Sequence, residues 1–97
     1  MVQTVRSITI LAGEKMIIIE KPHVSNRIFF SVQAFAPLNE WHRLNISFDD
    51  PLFRSYYALD GPARYFEGKG EGIFQGNIWG HNISSVNLLV SATEILI

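Results

Sequence analysis

Apolar and polar residues alternate with a period of two along several segments of the chain. In the longest of these segments, residues 27–36, every second residue from Ile28 to Ala36 is apolar. The same period occurs over residues 43–48 and 86–93. Because successive side chains of a strand point to opposite faces, these segments predict half-buried β-strands.

Residues typical of turns, chiefly Gly, Pro, Asn and Asp, separate the strand-like segments at intervals of about ten residues. That rhythm is typical of antiparallel sandwiches and barrels rather than of alternating strands and helices. We therefore predict an all-β fold, an antiparallel sandwich or barrel (jelly-roll-like) of about seven or eight strands, in which the first and last strands can be neighbours. The predicted strands lie near residues 3–11, 15–20, 27–36, 42–48, 53–58, 63–67, 72–80 and 86–96.

Residue usage also favours strands, since Val, Ile, Thr and the aromatic residues number 33 whereas Ala, Leu, Glu and Lys number 23. Only residues 52–59 leave a helix open as the alternative. Asp50 would cap that helix, and Pro51 would occupy its first position. Tyr56 and Tyr57 nevertheless favour a strand there.

Length, charge and cysteine content exclude several classes of function. Residues 1–97 form one predicted domain, because 47% of them are apolar and no linker divides the chain. The net charge of -1 gives no basic surface for phosphates, so nucleic acid is excluded as the leading partner. The absence of cysteine excludes disulfides and a thiolate nucleophile. No signal-peptide pattern begins the chain and its longest apolar run, residues 16–19, cannot span a bilayer, so we expect a soluble protein without a membrane partner.

No group of residues points to catalysis or to metal binding. Asp49, Asp50 and Asp60 are the best candidates for calcium ligands, but they stand in turn-forming sequences without the register of a calcium loop. None of the eight serines lies in the Gly-x-Ser-x-Gly pattern of an activated hydroxyl. We therefore expect no enzymatic activity and no cofactor. The three histidines, which lack a second ligand at metal-binding spacing, are His23, His42 and His81.

Two short motifs have structural interpretations. Residues 68–72 contain three glycines and suggest a phosphate-binding loop, but no helix-forming sequence follows them, so we predict a hairpin between two strands. Asn45 and Asn82 each begin an N-glycosylation pattern. Without a signal peptide, we interpret both matches as coincidental.

The aromatic residues carry the most specific functional prediction. The chain has twelve aromatic residues and eighteen Val and Ile residues, more than the space between two small sheets can bury. We expect residues 51–66 to present the surplus as a surface for self-association, because aromatic residues there alternate with arginines. The alternative is a carbohydrate-binding module that stacks sugars on Trp41, Tyr56, Tyr57 or Trp79. The predicted interface residues are Phe53, Arg54, Tyr56, Tyr57, Arg64, Tyr65 and Phe66.

A Gly-rich turn precedes a strand with Trp79 in residues 72–79, and residues 86–95 follow as a strand that ends in Glu94 and Ile95. These segments resemble the closing hairpin of small bacteriophage virion proteins. The resemblance implies a β-sandwich of tail, head-fibre or capsid-cementing type that assembles as a ring or trimer in the virion. It also implies partners among copies of itself and other virion proteins, with no catalytic residues. We therefore expect a structural role, with self-assembly ahead of catalysis.

Overall fold

The structure, a computed structural model, describes residues 2–20, 27–72 and 76–96. These residues form eight antiparallel strands, which confirms the predicted all-β class. The turn at Pro51 does not continue into a helix, so the helical alternative for residues 52–59 is wrong. None of the described residues belongs to a helix that could cross a membrane. The strands are β1 (Val2–Ile10), β2 (Lys15–Ile19), β3 (Ile28–Phe35), β4 (His42–Phe48), β5 (Tyr57–Gly61), β6 (Tyr65–Gly72), β7 (Ile78–Asn82) and β8 (Leu88–Leu96).

Two four-stranded sheets pack as a sandwich. Sheet A has the order β1-β8-β3-β6, and sheet B has the order β2-β7-β4-β5. Six of the seven connections between these strands therefore pass from one sheet to the other, which is the arrangement of a jelly roll. The first and last strands pair in antiparallel fashion from Val2 opposite Leu96 to Ile10 opposite Leu88, as expected.

The core lies between the sheets and contains the alternate residues that the sequence period assigns to one face. On β3, Ile28, Val32 and Ala34 are at most 1% exposed, whereas the intervening Ser31 and Gln33 are half-buried. Burial stabilises the fold by roughly 1.5–3 kcal/mol for each large aliphatic side chain. The core cluster comprises Ile10, Ile18, Ile19, Phe30, Val32, Ala34, Ala36, Leu44, Ile46, Leu59, Phe66, Ile78, Leu88, Val90 and Ala92.

β6 corrects the interpretation of the glycine-rich segment. The strand runs through residues 68–72, so the hairpin predicted there is wrong. A Cβ atom at Gly68 would overlap the Leu59 side chain, and one at Gly70 would lie 2.8 Å from Phe30 Cζ. These two glycines therefore let core side chains approach the strand closely rather than turning the chain.

The fifth and seventh strands also differ from the prediction. β5 begins at Tyr57 because residues 53–56 belong to the preceding loop. β7 begins at Ile78, and residues 73–75 of the predicted strand lie outside the described residues. β7 and β8 belong to different sheets, so the two segments that resemble a closing hairpin do not pair with each other.

The loop between β4 and β5, residues 49–56, is stabilised by a carboxylate. Asp50 accepts hydrogen bonds from the backbone N–H groups of Leu52 at 3.0 Å and Arg54 at 2.9 Å. This geometry confirms Asp50 as a turn-stabilising residue. Partial burial opposes its ionisation, but these N–H groups and the Arg54 guanidinium outweigh burial and hold the pKa of the Asp50 carboxyl below its ordinary value.

We expect Gly80→Ala to destabilise the sandwich. A Cβ atom at Gly80 would lie 3.1–3.3 Å from core atoms of Ile18, Ile10 and Leu44. Overpacking of this kind costs about 1–3 kcal/mol, and urea denaturation should show a loss of that size in the free energy of unfolding. The matched control is Gly61→Ala, whose new Cβ meets no atom within 4 Å. Equal stabilities for the two variants would contradict the packing at β7.

Candidate functional site

Four turns meet at one end of the sandwich. The strand register places Ile10 beside Leu88 in sheet A and His42 beside Gly61 in sheet B. The chain crosses between the sheets at these positions through the β1–β2, β3–β4, β5–β6 and β7–β8 turns. Their residues are 11–14, 36–41, 62–64 and 83–87.

This end carries most of the exposed apolar side chains. In the described part of the chain, eleven large apolar residues are exposed, and seven of them lie within two residues of one of these turns or inside it. The other four are Val5, Leu52, Tyr56 and Tyr57. We call the seven residues the apolar end: Leu11, Phe35, Leu38, Trp41, Tyr65, Ile83 and Leu89.

Three members of the apolar end form a row across the outer face of sheet A. Leu89 pairs with Phe35, and Phe35 pairs with Tyr65 on the next strand. The ring centroids of Phe35 and Tyr65 are 5.1 Å apart, and their planes are tilted by 50°. This contact orders the two rings although both remain more than a third exposed. Trp41, in the adjacent β3–β4 turn, is 64% exposed.

A buried asparagine joins the β1–β2 and β7–β8 turns. The Asn82 side chain is fully buried, and its Nδ2 donates to the carbonyl oxygens of Ile10 and Val86, both at 2.9 Å. Its Oδ1 accepts a hydrogen bond from the Ser84 N–H at 2.9 Å. The Gly13 N–H in turn donates to the Asn82 carbonyl at 2.9 Å. One amide thus satisfies three backbone groups of two turns.

A second set of hydrogen bonds joins the β3–β4 and β5–β6 turns. The Ala36 N–H donates to the Arg64 carbonyl at 2.7 Å, and the Arg64 N–H donates to Asn39 Oδ1 at 3.2 Å. The buried His42 ring places Nε2 2.7 Å from the Leu38 carbonyl oxygen. Because a carbonyl only accepts, Nε2 carries the proton and donates. His42 therefore anchors the turn that presents Leu38 at the surface.

Strand β4 connects these two pairs of turns. The Arg43 N–H donates to Ser84 Oγ at 2.9 Å, and the Arg43 carbonyl accepts from the Ile83 N–H at 3.0 Å. The Arg43 guanidinium lies 3.2 Å from the Asp60 carboxylate on β5. Hydrogen bonds thus fix all four turns, and the apolar end is an ordered surface.

Few charged residues accompany this surface. The four turns contain only Glu14, Glu40 and Arg64. Beside them, the Tyr65 hydroxyl donates to the Glu67 carboxylate at 2.7 Å. That hydrogen bond raises the pKa of the Tyr65 phenol above its ordinary value, and partial burial and the negative charge of Glu67 act in the same direction.

The structure separates the interface residues that the sequence predicts. Arg64 and Tyr65 lie at the apolar end, whereas Phe66 is 7% exposed in the core and offers no surface. Residues 51–66 therefore do not form one continuous surface. The remaining four predicted residues are not members of the apolar end and belong to the β4–β5 loop and the start of β5: Phe53, Arg54, Tyr56 and Tyr57.

Phe53 covers part of the outer face of sheet B. Its ring centroid lies 5.6 Å from that of His81, and the Lys15 ammonium lies 5.3 Å above it. A positive φ of 53°, rare for a bulky residue, directs the loop to this position. Arg54 is occupied by an ion pair with Asp50 at 3.4 Å. These contacts give Phe53 and Arg54 structural partners within their own chain.

The aromatic residues proposed for sugar stacking also lie on different parts of the surface. Tyr57 borders a cleft of about 290 Å³ between β5 and β6, which core residues such as Leu59 line. Trp79 is half-buried on the outer face of β7, opposite Ser47. Trp41 alone among these candidates belongs to the apolar end. The four rings do not form one platform.

The candidate ligands for metal do not converge either. His42 faces the core and His81 faces the outside of the same sheet, while His23 lies outside the described residues. Asp60 and Asp50 lie at opposite ends of sheet B. Within the ranges that the structure describes, no three His, Asp or Glu side chains lie together.

Both asparagines of the glycosylation patterns have structural positions. Asn45 is 7% exposed and Asn82 is 0% exposed. A folded chain therefore presents neither amide for modification.

The sequence did not predict the apolar end as one surface, because four of its seven members lie in turns, where apolar residues show no period. Leu11, Leu38 and Ile83 each stand within two residues of a turn-forming Gly, Pro or Asn. These three residues could have been recognised from their position in turn-forming sequences. Turns lie at the surface, so an apolar side chain in a turn is exposed unless another part of the protein covers it.

No family model matches the chain, and no curated protein sequence matches it. A jelly-roll fold alone does not identify a function, because the same fold supports many functions. Function is therefore inferred from the surface.

We expect Asn82→Ala to destabilise the folded chain strongly. The substitution leaves the Ile10 and Val86 carbonyls and the Ser84 N–H without their buried partner. The expected loss is about 2–4 kcal/mol in the free energy of unfolding, measured in urea. Asn87→Ala is the matched control, since its Oδ1 accepts one exposed hydrogen bond. A similar loss in both variants would contradict the structural role of the buried amide.

The Tyr65–Glu67 contact predicts a shift in tyrosine ionisation. Because the pKa of the Tyr65 phenol is raised, the contact stabilises the folded state fully at pH values below the ordinary phenol pKa of about 10. This stabilisation is lost as the pH rises through the pKa of Tyr65 in the folded protein. Glu67→Gln removes the negative charge, so part of the tyrosinate absorbance should appear at lower pH. Glu71→Gln, which removes the carboxylate paired with Arg27, should leave this titration unchanged.

Proposed function

We propose that this protein is a non-enzymatic structural protein that assembles with copies of itself through the apolar end. The observation that supports this proposal is the concentration of seven exposed apolar side chains in or beside four turns that hydrogen bonds fix. Soluble monomers rarely expose continuous apolar surface beyond about 300–600 Å², and larger surfaces mark association sites.

The order of the surface favours association. Binding costs free energy when loops and side chains must be immobilised, and a surface that is already ordered avoids much of that cost. Asn82 and His42 hold the turns from inside the fold. Aromatic residues such as Trp41 and Tyr65 are the side chains that most often dominate an interface.

The proposed setting is a bacteriophage virion, where the protein would stabilise or decorate a capsid or tail together with other virion proteins. The sequence resemblance of residues 72–79 and 86–95 to small virion proteins supports this setting, although the two segments do not pair as the hairpin that the resemblance implied. Jelly-roll sandwiches also occur among viral capsid proteins. A closed ring or trimer would use the same apolar surface once in each copy.

Carbohydrate binding is the second candidate, and one observation favours it. The Phe35 and Tyr65 rings lie beside Gln33 and Glu67, which occupy the next outward positions on the same strands. Aromatic rings next to planar polar side chains suit the apolar faces and hydroxyl groups of a sugar.

We expect the wild-type chain to associate in solution and the double variant Leu38→Ser/Trp41→Ser to form smaller species. Removing an aromatic anchor typically costs about 2 kcal/mol or more, so the dissociation constant should rise at least about thirtyfold. Size-exclusion chromatography with light scattering measures the masses. The matched control Leu52→Ser/Tyr56→Ser removes side chains of similar exposure away from the apolar end.

Association that weakens equally in both double variants would contradict the proposal, as would a wild-type chain that stays monomeric at high micromolar concentration. A glycan array tests the second candidate. Saturable sugar binding by a monomer, lost in Tyr65→Ala, would favour carbohydrate binding over assembly.

A further inference from the structure

Each sheet ends in two outermost strands, which are β1 and β6 in sheet A and β2 and β5 in sheet B. An outermost strand presents backbone N–H and C=O groups along its unpaired edge, and these groups can pair with a strand of another chain. Natural proteins prevent such pairing with short strands, bulges or charged side chains.

Three of the four outermost strands carry such protection. β2 and β5 have only five residues each, and the pairing of β2 with β7 shifts register between Ile17 and Ile19. β6 carries exposed charged residues at alternate positions, namely Glu67, Lys69 and Glu71.

β1 carries little protection. It has nine residues and pairs with β8 in a continuous register without a bulge. Arg6 is its only charged residue, and that side chain is half-buried and forms an ion pair with Glu20 at 4.0 Å. No described strand pairs with its other edge. Val5, on the outer face of this strand, is 60% exposed and lies away from the apolar end.

We infer that β1 pairs antiparallel with β1 of a second copy of this chain, about a twofold axis at Val5. In this register Val5 meets the same residue of the second copy, Arg6 lies opposite Thr4, and Ile8 lies opposite Val2. The contact rests on the proposed self-assembly of this chain, but it uses a second surface that is separate from the apolar end. It joins the two A sheets into one sheet of eight strands.

The sequence of β1 favours this register over the neighbouring ones on its C-terminal side. An axis at Arg6 would place two like charges opposite each other, which is unfavourable. An axis at Ser7 would place Val5 opposite Thr9 and would not bring the two exposed valines together. The axis at Val5 avoids the repulsion and gives an apolar pair across the two chains.

Protection of the other edges explains why the partner strand is β1 itself. Pairing of β1 with a different edge would be head-to-tail and would continue into a fibre unless the rotation closed. Self-pairing consumes both free edges and closes at two copies. Because the paired strands run in opposite directions, the two apolar ends point away from each other and stay available.

Single-cysteine cross-linking tests the register, because the chain has no cysteine of its own. Facing residues of antiparallel strands have Cα atoms about 4.5–5.5 Å apart, within the range that a disulfide spans. Val5→Cys should therefore give a covalent dimer on mild oxidation. In Ser7→Cys the two Cα atoms would be about 14 Å apart, too far for a disulfide, which makes this variant the matched control.

Mass measurement separates this contact from the apolar end. In the Leu38→Ser/Trp41→Ser background, light scattering should find two-chain particles. Adding Val5→Asp, which places two carboxylates opposite each other at the axis, should reduce them to single chains. Adding Thr9→Asp instead should leave the two-chain particles intact, because Thr9 is an exposed residue of the same strand that lies beyond the paired residues 2–8. Circular dichroism checks that each variant keeps its strands.

The outcomes distinguish the two proposals. Two-chain particles that persist in the Leu38→Ser/Trp41→Ser background and dissociate only with Val5→Asp support the β1 contact, even if the apolar end plays no part in assembly. Single chains in that background, with no Val5→Cys cross-link, overturn the β1 contact and leave assembly through the apolar end standing. Equal cross-linking of Val5→Cys and Ser7→Cys overturns the register.

Discussion

The buried Asn82 amide is the interaction on which the arrangement of this sandwich most depends. Chains that pass repeatedly between two sheets leave backbone groups of their turns close to the core, where water does not reach them. Asn82 satisfies three of these groups, from Ile10, Ser84 and Val86, with one side chain. The ends of β1 and β8 can therefore lie together above the core, and the exposed turn residues gain a fixed base. An apolar core alone would leave these turns without hydrogen-bond partners.

The faces of the long strands could be predicted from sequence because a period of two has one physical cause. On β3, one set of alternate residues, including Val32 and Ala34, is buried, and the other set faces outward. The same rule identified β4 and β8. The rule fails for β6, where Gly68 and Gly70 occupy inward positions. Glycine shows no hydrophobic period, and the close approach of Leu59 and Phe30 that requires it is visible only in three dimensions.

The candidate site was less predictable than the fold for a related reason. Aromatic residues that are close in sequence lie on different surfaces: Phe53 covers sheet B, Tyr65 lies on sheet A and Phe66 is in the core. Successive residues of a strand point to opposite faces of the sheet, so aromatic residues that are close in sequence do not form one continuous surface. The apolar end is instead assembled from four turns that are distant in sequence. Only the crossing of the chain between the sheets brings Leu11, Leu38 and Ile83 to one end.

Surface chemistry follows from the same topology. A sandwich of two open sheets has four outermost strands, and the unpaired backbone groups of each can pair with another chain unless the edge is protected. Three of these strands are protected: β2 and β5 are short, and β6 carries charged residues. The charges of β6 do not affect the core, because they occupy alternate positions that face outward. β1 cannot be shortened in the same way, since its full length pairs with β8 and Ile10, at its end, accepts the Asn82 hydrogen bond. The length that the fold requires of β1 is thus what leaves a long edge available to a second chain.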